Sequence, residues 1–377
     1  MTSRDEQLNE LASGQSGRRD DARIRRPAIV PCALLVLALA ACSSGDDAGA
    51  DGEVVSVATS NAAISTIETP VTDPVPTDSP ATDLPATEPA ESSTTTSEPD
   101  EATSTIDESS AVNDQLTAGR PYDVFEPTGY DAGAPTPLVL LLHGYGASGD
   151  IQESYFKLET LAESRGFLYV HPDGTVDPRG AQFWNATDAC CSIGGDVIDD
   201  AAYLIAIIEQ VSAEYNVDPK AIFLAGHSNG GFMSYRMACQ HADTIAGIAS
   251  LAGATFADTA DCTPSEPVSV LQVHGTSDET ILYVGGSVGG PDYPSAQQTV
   301  ESWVGYNGCD TRPTITADAL DLDGGIGGAE SDVEAFGGCD QGSEVELWSI
   351  NGGSHIPGVT TDFSAGVIDF LLAHPKP

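Results

Sequence analysis

The stretch Ala221-Ile222-Phe223-Leu224-Ala225-Gly226-His227-Ser228-Asn229-Gly230-Gly231-Phe232-Met233 decides how the rest of the chain is read. It begins as a compact apolar run with β-branched and aromatic content, the pattern of a strand buried in a parallel sheet. It continues into Phe232-Met233-Ser234-Tyr235-Arg236-Met237-Ala238, a helical pattern. Between the two, Gly226-His227-Ser228-Asn229-Gly230 has to turn the chain sharply. A Gly-x-Ser-x-Gly bend between strand and helix is a nucleophile elbow, which presents a serine hydroxyl at the top of a sheet. The glycines answer a steric demand, because a serine held in a strained turn leaves no room for Cβ atoms two residues to either side.

Outward from that stretch, the chain of 377 residues divides into three parts of different character. Its net charge is -43, and no Lys or Arg occurs from Pro27 to Gly119. So acidic a chain is not expected to bind nucleic acid, where cationic contacts to phosphate supply the affinity. Residues 1–42 read as an export signal. Arg18, Arg19, Arg23, Arg25 and Arg26 precede the apolar run Ala28 to Ala41, which falls short of the roughly 20 residues a membrane span needs. The run ends Leu39-Ala40-Ala41-Cys42, which resembles the lipobox of bacterial lipoproteins. That resemblance implies lipid attachment at Cys42 and anchoring of an exported protein to the cell membrane; an ordinary cleaved signal is the alternative. Residues 43–118 are rich in Ser, Thr, Pro, Ala, Asp and Glu, bury too little apolar surface to offset chain entropy, and read as a disordered acidic tether. Its random-coil reach is on the order of 50 Å. Residues 119–377 are long enough for one sizeable core and one α/β domain.

Within that domain, Pro121 to Glu126 alternates as an early antiparallel strand, and Pro137 to His143 is apolar throughout, as a central strand is. Phe167 to His171, Ile245 to Leu251, Pro267 to His274 and Glu344 to Ile350 read as further strands. Val197 to Tyr215, Pro294 to Tyr306 and Thr361 to Leu372 read as helices. Alternation of this kind demands right-handed crossovers and a mainly parallel sheet with helices on both faces. Only a short segment separates Leu251 from Pro267, too little for a helical lid, so an open cleft is expected.

Serine hydroxyls attack poorly until a base takes the proton, and the base needs a third group to hold its tautomer. In the α/β-hydrolase fold the order is Ser, acid, His, each at the carboxyl end of a strand. Ser228, Asp278 and His355 satisfy that order, with Glu279 as the fallback acid. His374 lies beyond the closing helix. His143 and His274 are read as residues that fix loops, and His227 as a neighbour of the nucleophile whose side chain points elsewhere in the elbow. His143-Gly144-Tyr145-Gly146 follows a central strand, where this fold supplies one oxyanion amide. The backbone N–H groups of Tyr145 and Asn229 are therefore the expected oxyanion donors. Trp184, on a loop after a parallel strand, is either a substrate contact or a plug between loop and core. His227 and Ile356, flanking nucleophile and base, complete the candidate substrate contacts.

The elbow, Pro137-Leu138 through Leu142-His143-Gly144, Phe183-Trp184-Asn185-Ala186, His274-Gly275-Thr276-Ser277-Asp278 and Gly352-Gly353-Ser354-His355-Ile356-Pro357-Gly358 agree in order with one family. They resemble the polyhydroxybutyrate depolymerase and feruloyl esterase-like esterases of bacteria, over nearly all of residues 120–377. The resemblance implies hydrolysis of a small or polymer-linked carboxylic ester, with Ser228, Asp278 and His355 as the triad. Ile356 stands where that family usually has an aromatic residue, and Ser354 where a glycine is common.

Six cysteines fall in the domain, and an even number in an exported protein points to disulfides. Cys309 with Cys339 and Cys239 with Cys262 are the expected pairs, leaving Cys190-Cys191 as a vicinal bridge, although either could instead pair with Cys239. Cys309 and Cys339 flank an acidic, glycine-rich stretch read as a loop. No Cys/His spacing suits zinc, and Asp321-Leu322-Asp323-Gly324 lacks the length and closing Glu of a calcium loop and reads as solvated loop. No metal or cofactor is expected, and the protein is expected to be a monomer. A serine exopeptidase on the same fold and an inert tethered binding module are the competing readings.

Overall fold

The computed structural model describes residues 104–191 and 198–377. The proposed signal, Cys42 and most of the tether lie outside them. The described elements, in chain order, are α1 (Ser104–Thr117), β1 (Val124–Phe125), β2 (Thr136–Leu142), α2 (Gly149–Phe156), α3 (Leu158–Arg165), β3 (Leu168–Val170), β4 (Thr175–Val176), β5 (Gln182–Phe183), α4 (Asp200–Glu214), β6 (Val217–His227) and α5 (Asn229–Gln240). There follow β7 (Gly247–Leu251), β8 (Ser269–Gly275), β9 (Gly286–Ser287), β10 (Asp292–Tyr293), α6 (Ala296–Tyr306), β11 (Thr314–Leu320), β12 (Ser331–Phe336), β13 (Val345–Ile350) and α7 (Thr361–Ala373).

Nine strands form one sheet in the order β1-β3-β2-β6-β7-β8-β13-β12-β11. The six from β3 to β13 run parallel, and β1, β12 and β11 are antiparallel additions at the edges. Side chains alternate across a strand, so a continuously apolar strand needs cover on both faces. In β2, Leu138, Leu140 and Leu142 join one apolar cluster with Leu204 of α4, Phe232 of α5 and Trp303 of α6. Val139 and Leu141 join another with Phe156 of α2, Ala162 of α3 and Phe363 of α7. This is the α/β-hydrolase architecture expected from the alternating pattern.

Three features differ from the sequence reading. The end of the stretch read as tether is helical, and α1 rests on α4, where Gln210 Nε2 donates to Asp114 Oδ1 at 2.9 Å and to Thr117 Oγ1 at 3.1 Å. The stretch between Cys309 and Cys339 contains the β11–β12 hairpin and extends the sheet, instead of forming only a loop. Its outer strand is mostly exposed, so no buried face imprinted a hydrophobic period on its sequence. Asp321-Leu322-Asp323-Gly324 is not simply solvated: Leu322 and Asp323 are buried.

Candidate active site

Parallel strands deliver their carboxyl ends to one edge, and the elbow turns there. Ser228 sits at φ 54° and ψ -118°, a left-handed region that a serine occupies only when its surroundings impose it. The glycines on either side allow the turn. A Cβ on Gly226 would lie 2.2 Å from the Gly230 carbonyl oxygen, and one on Gly230 the same distance from that of Leu142.

His355 and Asp278 reach this edge on the loops after β13 and β8. His355 Nε2 lies 3.0 Å from Ser228 Oγ, and its Nδ1 lies 2.8 Å from Asp278 Oδ2. Asp278 is buried, while Glu279 beside it is exposed. Burial pushes the Asp278 carboxyl up, but hydrogen bonds from His274 and His355 outweigh it and hold the group well below the usual carboxylate range. The amides of Thr280 and Ile281 also donate to its Oδ1. Asp278 is thus a fixed anion facing Nδ1, which keeps Nε2 free to accept the serine proton. His374 pairs with Glu344 instead, at 2.8 Å.

Three contacts hold the loop that carries His355. His227 Nε2 donates to the His355 carbonyl at 2.9 Å, Tyr155 Oη donates to the Pro357 carbonyl at 2.7 Å, and the Gly358 amide donates to Asp323 Oδ1 at 2.9 Å. The buried Asp323 therefore braces the base loop, a role its sequence pattern did not announce. Burial, with the His355 ring beside it, lowers His227 to about 4, so this imidazole is neutral and a carbonyl can accept its N–H. His227 is a buttress for the base loop, whereas the sequence also offered it as a substrate contact.

The opposite wall is the His143-Gly144-Tyr145-Gly146 turn. Asn229 opens α5, where helical amides have no intrahelical acceptor, and among the described residues neither its N–H nor that of Tyr145 donates to a protein acceptor. His143 is buried; its Nε2 accepts from the Gly174 amide at 2.9 Å, which leaves Nδ1–H to donate to the Gly144 carbonyl. Burial also lowers its pKa, in keeping with that neutral tautomer. Tyr145 Oη donates to Asp177 Oδ2 at 2.7 Å.

Trp184 is wholly buried and cannot meet a substrate. Its Nε1–H donates to the His143 carbonyl at 3.0 Å, and its backbone N–H and carbonyl pair with the side-chain amide of Asn229. It plugs the loop to the core, tying the Tyr145 turn to the start of α5. Ile356 is 64 % exposed. The sequence left Asp200 unremarked; its buried carboxylate joins Arg120, Thr175 and the Asn185 amide and so supports the Trp184 loop.

Beside Ser228 lies a cleft of about 360 Å³, bordered by Tyr145, Ala189, Ile281, Val288 and the Cys190–Cys191 bridge. All three disulfides pair as expected: Cys190 with Cys191, Cys239 with Cys262, and Cys309 with Cys339. Among the described residues no cluster of His, Cys, Asp and Glu forms a metal site, and no helix is long and apolar enough to cross a membrane.

Residues 130–302 match the phospholipase/carboxylesterase family profile. Feruloyl esterase B of Piromyces equi is 30% identical over 240 residues, covering 62% of this chain and 42% of that protein, so the chain spans less than half of that relative's length. Feruloyl esterase D of Neurospora crassa is 29% identical over 249 residues, covering 63% of this chain and 74% of its own. Among solved structures, an acetyl xylan esterase from Aspergillus awamori superposes with a TM-score of 0.49 at 15% identity, over 66% of this chain and 93% of its own. With a mainly parallel sheet, a strained serine elbow and these matches, the chain is a carboxylic ester hydrolase of the α/β-hydrolase fold, similar in sequence to feruloyl esterases.

Proposed function

We propose that the protein is an exported, surface-tethered serine esterase that works through an acyl-enzyme on Ser228. The relay from Ser228 Oγ to His355 Nε2 at 3.0 Å and from Nδ1 to Asp278 at 2.8 Å carries this reading. In the first half-reaction Ser228 Oγ attacks the ester carbonyl and its proton passes to His355 Nε2. Asp278 stabilises the imidazolium, and the amides of Tyr145 and Asn229 receive the oxyanion. Collapse expels the alcohol, which takes the proton from His355. Water then gives a proton to His355 and attacks the acyl carbon; as the bond to Ser228 Oγ breaks and the acid leaves, His355 returns the proton to Ser228 Oγ. The oxyanion donors are each worth about 100- to 1000-fold in rate in comparable sites.

Three disulfides support export, since such bonds persist in oxidising compartments. Lipid attachment at Cys42 and an acidic spacer would hold the domain off the membrane. Esters with an aromatic acyl group, as the feruloyl esterase relatives suggest, and polyhydroxybutyrate are the substrate classes to test. The full chain and Ser228→Ala would be assayed on p-nitrophenyl acetate, methyl ferulate, a polyhydroxybutyrate film and aminoacyl anilides. Ester hydrolysis by the wild type, lost in the variant, is expected. Equal ester rates for both proteins, or cleavage of the anilides alone, would overturn the proposal.

A further inference from the structure

The Cys190–Cys191 bridge joins two neighbouring residues into a small covalent ring, and that ring borders the cleft at Ser228. Cys190 is buried, and its Sγ lies 3.8 Å from Asn229 Nδ2, on the residue whose amide faces the oxyanion position. The bridge therefore has two neighbours that matter: the cleft and the start of α5. A disulfide ring has almost no rotamer freedom to lose when a ligand packs on it, in contrast to a leucine or methionine wall. Sulfur is also polarisable and makes favourable contacts with aromatic rings.

The rest of the cleft suits a flat group. Val288-Gly289-Gly290 lines it with little side chain, and Gly290 packs over the segment before the bridge: a Cβ there would lie 3.4 Å from the Asp188 carbonyl oxygen and 3.6 Å from that of Ala189. Ile281 and the half-exposed Tyr145 ring add apolar surface. At about 360 Å³ the space exceeds what an acetyl group fills and lies within the range of small-ligand pockets. A rigid, sulfur-bearing wall gives a planar ring more contact than a short alkyl group.

We propose that the Cys190–Cys191 ring is a specificity-determining wall of this cleft and that it packs against the aromatic ring in the acyl group of an ester substrate. The inference rests on the esterase reading of Ser228. In the full chain, kcat/KM would be measured on methyl ferulate and on methyl acetate, which share an alcohol and differ in the aromatic ring, for the wild type and for the double variant Cys190→Ser, Cys191→Ser. The ferulate-to-acetate ratio is expected to fall by roughly 3- to 10-fold, the size of a lost sulfur–aromatic contact, mainly through KM. Should the double variant fold poorly by circular dichroism, wild-type protein would be reduced with a phosphine and alkylated. Peptide mapping would then confirm modification of Cys190 and Cys191 alone, and the same ratio would be read. An unchanged ratio, or equal loss on both esters, overturns the proposed wall while leaving the esterase intact. Hydrolysis of neither ester by the wild type overturns both.

Discussion

Gly230→Ala tests the elbow most severely, because helix propensity and tertiary structure make opposite forecasts for it. Gly230 lies in the first turn of α5, where alanine is favoured over glycine by about 1 kcal/mol in an open helix. The new Cβ, however, would lie 2.2 Å from the Leu142 carbonyl oxygen, 2.6 Å from its carbon and 2.7 Å from the His143 carbonyl oxygen. Real Cβ contacts essentially never fall under 3.0 Å, so α5 and the end of β2 must part by at least about 0.8 Å (3.0 − 2.2). All three atoms are backbone, and none can swing away. Overpacking of this kind costs about 1–3 kcal/mol, or about 2–12 °C in Tm for a domain of this size. The displacement separates the amide of Asn229 from that of Tyr145, and a misplacement near 1 Å costs about 100-fold in rate. Initial rates on p-nitrophenyl acetate with thermal melts would read both effects. Gly305→Ala serves as the control: it lies in α6 with nothing within 4 Å of its Cβ and should stabilise by roughly 0.5–1 kcal/mol. A Gly230→Ala protein within threefold of wild-type activity, with Tm unchanged or raised, would refute the close-approach account of the elbow.

Trp184→Phe keeps an aromatic ring but leaves the buried His143 carbonyl without its donor, and should cost about 1–3 kcal/mol in thermal melts, with kcat falling more than KM rises. An unaltered Tm and kcat would show that this hydrogen bond does not set the oxyanion turn. For His227 the folded value is lowered to about 4 against about 6.5 in the unfolded chain, so protons bind the unfolded state first as pH falls. Its contribution to stability is complete above about pH 6.5 and is lost on the way down to about pH 4. Melting temperatures of wild type and His227→Gln across that window should converge as the pH falls; parallel curves would speak against a buried neutral imidazole. Removing the bridge that spans 30 residues, with Cys309→Ser and Cys339→Ser, should cost roughly 3–4 kcal/mol in denaturant melts while hydrolysis continues below the midpoint. A loss under 1 kcal/mol would mean that the hairpin is already closed in the unfolded chain.

Much of this molecule could be read along the chain, because the deciding signals are local. A continuous apolar run such as Leu138-Val139-Leu140-Leu141-Leu142 has to be buried on both faces, whatever surrounds it. The Gly-x-Ser-x-Gly bend carries its own steric reason, and the order of Ser228, Asp278 and His355 follows from strands ending at one edge. The even number of cysteines points to disulfides, but whether Cys239 takes Cys262 or one of the Cys190-Cys191 pair is decided only in the fold. What only the tertiary structure decided are matters of long-range contact. Trp184 could face substrate or core until its indole met the His143 carbonyl. Asp323 is acidic and loop-bound in sequence, yet the Gly358 amide, 35 residues away, takes it out of solvent. The outer strand β11 lacks a buried face and so lacks a period to read. The vicinal bridge is one of two pairings the sequence allows, and its place beside Ser228 depends on how the loop after β5 folds over α5. A sequence records which faces must be hidden; which neighbour hides them is settled only when distant segments meet.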